Sequence, residues 1–70
     1  MEPDFYEVVI IRYPSSQRPS QWRDEPRGGH VIERRYRRLA RGPAVTFAKA
    51  FNRQELRHPH GVWAIVRREA

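Results

Sequence analysis

The first apolar block of the chain, residues 5–13, predicts a β-strand. It is rich in aromatic and β-branched residues and stops at Pro14, which is typical of a strand and its end. Its centre, residues 8–11, is apolar at every position instead of at every second one. A strand that is covered on both faces shows this pattern, so we expect it in the middle of a sheet.

Two structures fit the second block, residues 30–38. As a helix, it would place Ile32, Tyr36 and Leu39 on one face. As a strand, it would place Ile32 and Tyr36 on the same face of the sheet. A glycine pair precedes the block, two β-branched residues open it, and a better helical pattern follows it. These three features favour a strand over residues 30–37.

The clearest helical pattern covers residues 43–56. Apolar side chains recur there at intervals of three and four, at Ala40, Ala44, Phe47 and Phe51, with Ala48 beside them. Pro43 suits the first helical position, and Gly42 is a tolerable N-cap. Asn52 could end the helix early in a left-handed conformation.

The last block, residues 62–67, follows a Pro-His-Gly turn and predicts a final strand. A right-handed crossover through the helix makes the second and third strands parallel, with the first strand between them and antiparallel to both. We therefore predict an α+β fold of the order β-β-α-β over residues 1–70 as a single domain. Its three-stranded sheet has the order 2-1-3, and one helix packs on one face.

Residues 14–29 predict a mobile loop, because they are rich in proline and serine and too numerous for a simple hairpin connection. Trp22 lies in this loop with few apolar neighbours. We expect its ring either to fold back onto the sheet or to contact a partner.

The second sheet face is the most suggestive feature of this arrangement. One helix covers one face only, although the first strand is apolar on both. The loop around Trp22, a second copy of the chain or a ligand would have to cover the other face. The candidate interface residues are Phe5, Val9, Ile11, Tyr13, Trp22 and Trp63. Such a patch fits a dimer interface or a protein partner, and its aromatic rings, with Trp63 half-buried, could also stack on RNA bases.

The composition makes the chain basic and free of cysteine. Of 70 residues, 14 are lysine or arginine and 8 are aspartate or glutamate, which gives a net charge of +6. The absence of cysteine excludes disulfides, zinc–thiolate sites and a thiol nucleophile. No apolar run is long enough for a signal peptide or a membrane span. We expect a cytoplasmic protein that makes no membrane contact.

Catalytic and metal-binding residue types are present without their characteristic spacing. No serine lies in a Gly-x-Ser-x-Gly elbow, and the glycine pair lacks the lysine and helix of a phosphate-binding loop. His58 and His60 flank a proline in a turn, which makes a weak metal site. We therefore expect no enzyme, no metal, no cofactor and no small-molecule substrate.

Arginine is concentrated in residues 34–41. The candidate contacts to an anion or a nucleic acid are Arg34, Arg35, Tyr36, Arg37, Arg38 and Arg41. Guanidinium groups match phosphate oxygens and tyrosine can stack on a base. Arg67 and Arg68 could extend the cluster if the strand ends meet. The codon bias of a GC-rich genome, or protection of an edge strand, would explain the same arginines.

A regular strand would divide this cluster between the two faces of the sheet. Alternation places Arg35 and Arg37 on one face, and Arg34, Tyr36 and Arg38 on the other. The cluster would then wrap the sheet edge. Three acidic residues could neutralise part of it, namely Glu33, Glu55 and Glu69.

The sequence thus predicts a small, non-catalytic interaction module. Its expected partner is an acidic protein or a second copy of the chain, bound through the sheet face and the basic edge. The alternative is RNA or DNA, bound by its phosphate backbone through residues 34–41.

Overall fold

The computed structural model describes residues 4–69, which form three antiparallel strands and one long helix. The elements are β1 (Tyr6–Arg12), a short 3-10 helix (Ser15–Gln17), β2 (His30–Leu39), α1 (Arg41–Arg57) and β3 (Val62–Arg68). The strand order is β2-β1-β3, and β1 is antiparallel to both neighbours. The predicted α+β class, strand order and single helix are confirmed.

The helix differs from its prediction at both ends. Ala40 is the N-cap and Arg41 the first helical residue, so Pro43 is the third residue of the helix and not the first. This position suits proline as well, because no amide in the first turn has an acceptor within the helix. Asn52 does not end the helix, which continues to Arg57.

One core cluster lies between α1 and the sheet. Val8 and Ile10 of β1 pack there against Ala44 and Ala48 of α1 and Ala64 of β3, and all five are buried. Small side chains on the helix let it approach the sheet closely. Half-buried residues surround this centre: Tyr6, Leu39, Phe47, Phe51, Val62 and Val66. The predicted helical stripe is thus in the core, apart from the exposed N-cap Ala40.

A second cluster lies on the other sheet face. It contains Val9, Ile11, Tyr13 and Trp63, which are all buried within the chain. Trp63 was expected to be half-buried, but its exposed fraction is 0%. It packs edge-on against Tyr13, with ring centroids 6.2 Å apart.

The loop between β1 and β2 helps to cover this second face. The indole nitrogen of Trp63 donates a hydrogen bond to the carbonyl oxygen of Asp24 at 2.7 Å. Pro19 and Pro26 of the loop are buried. At Gly29, a Cβ atom would lie 2.7 Å from the terminal methyl of Ile11 and 3.3 Å from the carbonyl oxygen of Arg12, so a larger residue there would require Ile11 to shift. Of the three covers considered for this face, the structure shows the loop.

The side chain of Asn52 forms hydrogen bonds with the outward backbone groups of Ala64, in the middle of β3. This side chain is 1% exposed and accepts a hydrogen bond from the amide of Ala64 at 2.7 Å. Its amide nitrogen donates to the carbonyls of Ala64 and Trp22 at 2.9 and 2.8 Å. The side chain thereby replaces a neighbouring strand at Ala64 and fixes the loop to α1.

Glu55 is also buried, at 4% exposure, and is not close to the arginine cluster it was expected to neutralise. Its carboxylate accepts hydrogen bonds from the hydroxyl of Tyr13 and the amides of His60 and Gly61, at 2.7, 2.8 and 3.0 Å. It therefore joins the end of α1 to the turn before β3 and to the end of β1. Burial, together with the hydrogen bond and charge of Glu55, raises the pKa of Tyr13 from 10.0 to about 12, against the opposing charge of Arg18.

This pKa shift predicts that alkaline pH destabilises the fold. The unfolded chain releases the Tyr13 proton near pH 10, whereas the folded chain holds it until about 12. The stabilisation is fully present below pH 10 and is lost as the pH rises through 12. Urea unfolding across this range should show a falling midpoint. Tyr13→Phe lacks the proton, so its midpoint should fall less steeply, and parallel decline of the two proteins would refute the assignment.

Candidate anion-binding site

Three β-bulges shape β2, the exposed edge strand. Its ten residues face the seven of β1, and the register shifts between Tyr6 and Val8, between Val8 and Val9, and between Ile10 and Ile11. Each shift places an extra residue on β2 and re-aims the side chains next to it. Simple alternation of faces therefore does not hold along this strand.

The bulges direct two consecutive residues, Arg35 and Tyr36, towards α1. The ring of Tyr36 meets Phe47 edge-on, with centroids 4.7 Å apart. The guanidinium carbon of Arg35 lies 5.9 and 5.7 Å from the ring centroids of Phe47 and Phe51. Arg35 also pairs with Glu33 at 3.0 Å. The prediction that Arg35 and Tyr36 lie on opposite faces is wrong, because the bulge breaks the alternation.

The remaining arginines of β2 meet those of β3 at the other side of the sheet. A concavity of about 590 Å³ is lined by Arg34, Arg37, Arg38, Arg67, Arg68, Glu7 and Glu69. We call it the arginine concavity. Arg34 faces Val9 across one ladder, and Arg67 faces Glu7 across the other. The two outer strands are separated by β1, so their backbones are roughly 10 Å apart, a gap that long arginine side chains can span.

Glu69 holds the geometry of this site from the end of β3. Its amide donates to the carbonyl of Phe5 at 2.9 Å, and its carboxylate accepts the amide proton of Arg38 at 3.2 Å. The same carboxylate lies 3.7 Å from Nε of Arg37. Arg38 has φ of 56°, the only positive value at a non-glycine residue within residues 4–69. Such strained positions cluster at binding sites, where the surrounding structure maintains them.

Positive charge is in excess in the concavity, with five guanidinium groups against two carboxylates. Arg37 pairs with Glu69, and Arg68 pairs with Asp4 at 2.6 Å, yet both arginine side chains are 67% exposed. Within residues 4–69, Arg34, Arg38 and Arg67 have no carboxylate at ion-pair distance. The concavity therefore offers exposed donors and an uncompensated positive potential to an anion.

The other predicted site residues lie elsewhere. Arg41 begins α1 and lines a separate groove beside Trp22. Trp22 is half-buried, and the ammonium nitrogen of Lys49 in α1 lies 5.5 Å from its ring centroid. The ring of Trp22 therefore lies beside α1. Of the six candidate interface residues, Phe5 and Trp22 are accessible. A partner could reach the other four only by displacing chain that covers them: Val9, Ile11, Tyr13 and Trp63.

Sequence reasoning missed Glu7 in the concavity and the buried roles of Asn52 and Glu55. The signal for the last two is their spacing, because both continue the buried positions Ala44 and Ala48 along the same helical stripe. Glu7 becomes recognisable only from the register, which sets it directly opposite Arg67.

Comparisons of the chain with protein-family models, with curated proteins and with solved structures found no match. The chemistry of the site must therefore be inferred from its own residues. Within residues 4–69, no group of three histidine, aspartate or glutamate side chains is placed to hold a metal ion. In the same range, no helix has the length and apolar character needed to cross a membrane.

Proposed function

We propose that this protein is a non-catalytic module that binds the phosphate backbone of nucleic acids in the arginine concavity. The observation that carries the proposal is the convergence of arginines from two strands that flank β1. Without the bulges, alternation would send neighbouring arginines of β2 to opposite faces. Guanidinium forks bind phosphate oxygens in pairs, and several such groups around one depression suit a chain of phosphates.

The surroundings of the concavity favour phosphate contacts over base recognition. In the described part of the chain, no aromatic ring lines it. Tyr36 is 43% exposed, but it packs against Phe47 on the helix side and does not line the concavity, and Trp63 is buried. Base stacking needs an accessible ring beside the bound strand, and phosphate contacts carry no direct sequence information. We therefore expect binding with little sequence preference. We also propose that the protein acts in the cytoplasm.

An acidic protein is the second candidate partner, since carboxylates can also occupy exposed guanidinium groups. A second copy of the chain is less favoured at this surface. The bulges and arginines of β2 both oppose regular pairing with another strand, and the apolar residues of the second face are buried within the chain.

Replacing Arg34, Arg37 and Arg67 together by glutamine should weaken nucleic-acid binding by about tenfold to a hundredfold, since each exposed ion pair contributes up to ~1 kcal/mol. The slope of log K against log salt should also fall, by about 0.7 to 0.9 for each phosphate that the variant no longer neutralises. Fluorescence anisotropy with a labelled duplex and a labelled single strand, at several salt concentrations, measures both effects.

A matched triple variant carries the same charge change on exposed arginines outside the concavity: Arg27→Gln, Arg53→Gln and Arg57→Gln. It should bind nearly as the unmodified protein does. Glu69→Gln keeps an acceptor for the Arg38 amide but removes a negative charge, so it should strengthen binding. Equal losses in the two triple variants would show diffuse attraction and contradict the site. Tighter binding of polyglutamate than of nucleic acid at equal salt would assign the concavity to an acidic protein.

A further inference from the structure

A second depression lies at the edge of the sheet that β3 forms, between α1 and the outer side of β3. This groove has a volume of about 350 Å³, within the range of known ligand sites. Val45 and Ala48 of α1 and Val66 of β3 contribute apolar surface to it. Residues 22–25 of the loop also line it, and it shares no residue with the arginine concavity.

The backbone of β3 is open to a new strand in this groove. The backbone groups of Gly61 and Glu69 form hydrogen bonds with residues that flank β1. In an antiparallel pair, every second residue bonds to the neighbouring strand. The odd-numbered residues of β3 therefore bond to β1, and the even-numbered residues direct their amides and carbonyls away from β1, towards the open edge of the sheet. Asn52 satisfies the outward groups of Ala64. Val66 is the next outward residue, and within residues 4–69 its outward amide and carbonyl have no partner.

Two guanidinium groups line the same groove. Arg41 comes from the first turn of α1 and Arg23 from the loop, and neither has a carboxylate at ion-pair distance within residues 4–69. The carboxylate of Asp24 is engaged in the loop, where it accepts hydrogen bonds from the amides of Ser20 and Gln21 at 2.9 Å. Glu25 is the other acidic residue of the groove.

We propose that this groove binds the carboxyl-terminal residues of an extended peptide. The peptide backbone pairs with Val66 and continues the sheet by one strand, while an apolar side chain packs on the half-buried Val45. The terminal carboxylate pairs with Arg41, in the first turn of α1. Strand addition and carboxylate capture are recurrent modes of peptide recognition. A second copy of this chain fits less well, since it would bring a net charge of +6 to these arginines.

The test compares two pools of acetylated tripeptides built from alanine, valine and leucine. One pool has free carboxyl ends and the other is amidated. The free acids should shift the amide resonance of Val66, and the amidated pool should shift it much less. Arg41→Gln should weaken binding about fivefold, the upper range for an exposed ion pair, whereas the exposed helix variant Arg53→Gln should leave it unchanged.

The proposal fails if neither pool shifts the Val66 resonance, or if acids and amides bind alike. It also fails if Arg41→Gln, shown by its spectrum to be folded, binds as tightly as the unmodified chain. The triple variant of Arg34, Arg37 and Arg67 serves to separate the two sites. It should lose nucleic-acid binding while it keeps peptide binding, so each proposal can fail alone.

Discussion

Replacing Trp63 by alanine should destabilise the fold by roughly 3–5 kcal/mol, the cost of truncating a large buried aromatic side chain. At about 0.05–0.15 kcal/mol per residue, a domain of 70 residues is stabilised by only about 3.5–10 kcal/mol, so the variant should lose a third or more of its stability. Trp63 is fully buried and packs against Tyr13. Its loss would also remove the hydrogen bond to Asp24 that fixes the loop over the second face.

Urea unfolding followed by circular dichroism measures this destabilisation. Trp22→Ala is the matched control, because Trp22 is half-buried and should cost only about 1 kcal/mol. Trp63→Phe keeps most of the ring but lacks the indole donor, so its stability should lie between that of Trp63→Ala and that of the unmodified chain. Similar midpoints for Trp63→Ala and Trp22→Ala would contradict the central position of Trp63.

The second large effect is expected at Asn52. Asn52→Ala should cost roughly 2–4 kcal/mol, because it leaves the amide and carbonyl of Ala64 and the carbonyl of Trp22 without partners. Asn52→Asp keeps the shape but places a carboxylate against two carbonyl oxygens. We expect it to be at least as destabilising.

Hydrogen exchange distinguishes this role from a simple packing defect. In Asn52→Ala, the amide of Ala64 should exchange faster, with a larger change than amides of β3 that bond to β1. Gln54→Ala, at an exposed position of the same helix, is the control and should leave the exchange of Ala64 unchanged. Undiminished protection of Ala64 in Asn52→Ala would show that this bond contributes little.

The elements and their order were predictable because their signals are local. The unbroken apolar run of β1 places it centrally, and the alanine and phenylalanine spacing of α1 defines one buried face. Crossover handedness then leaves the order 2-1-3. The sequence also located the basic cluster, since arginine density does not depend on the fold.

The facing of the β2 side chains was not predictable, because bulges depend on which residues of β1 they oppose. Arg35 and Tyr36 turn the same way where Phe47 and Phe51 offer a surface to both. Asn52 was predicted to end the helix because asparagine tolerates the left-handed conformation. The structure shows instead that its side chain bonds to backbone groups 12 and 30 residues away. Polar groups paired over such separations leave no local pattern.

The way the loop closes over the sheet also bears on how the chain folds. Three hydrogen bonds that bind this region join residues 30, 39 and 42 positions apart. Closing such long stretches costs chain entropy before the contacts form, which slows folding relative to helical proteins of equal length. A fragment that lacks the loop, α1 or β3 cannot form all three of these bonds.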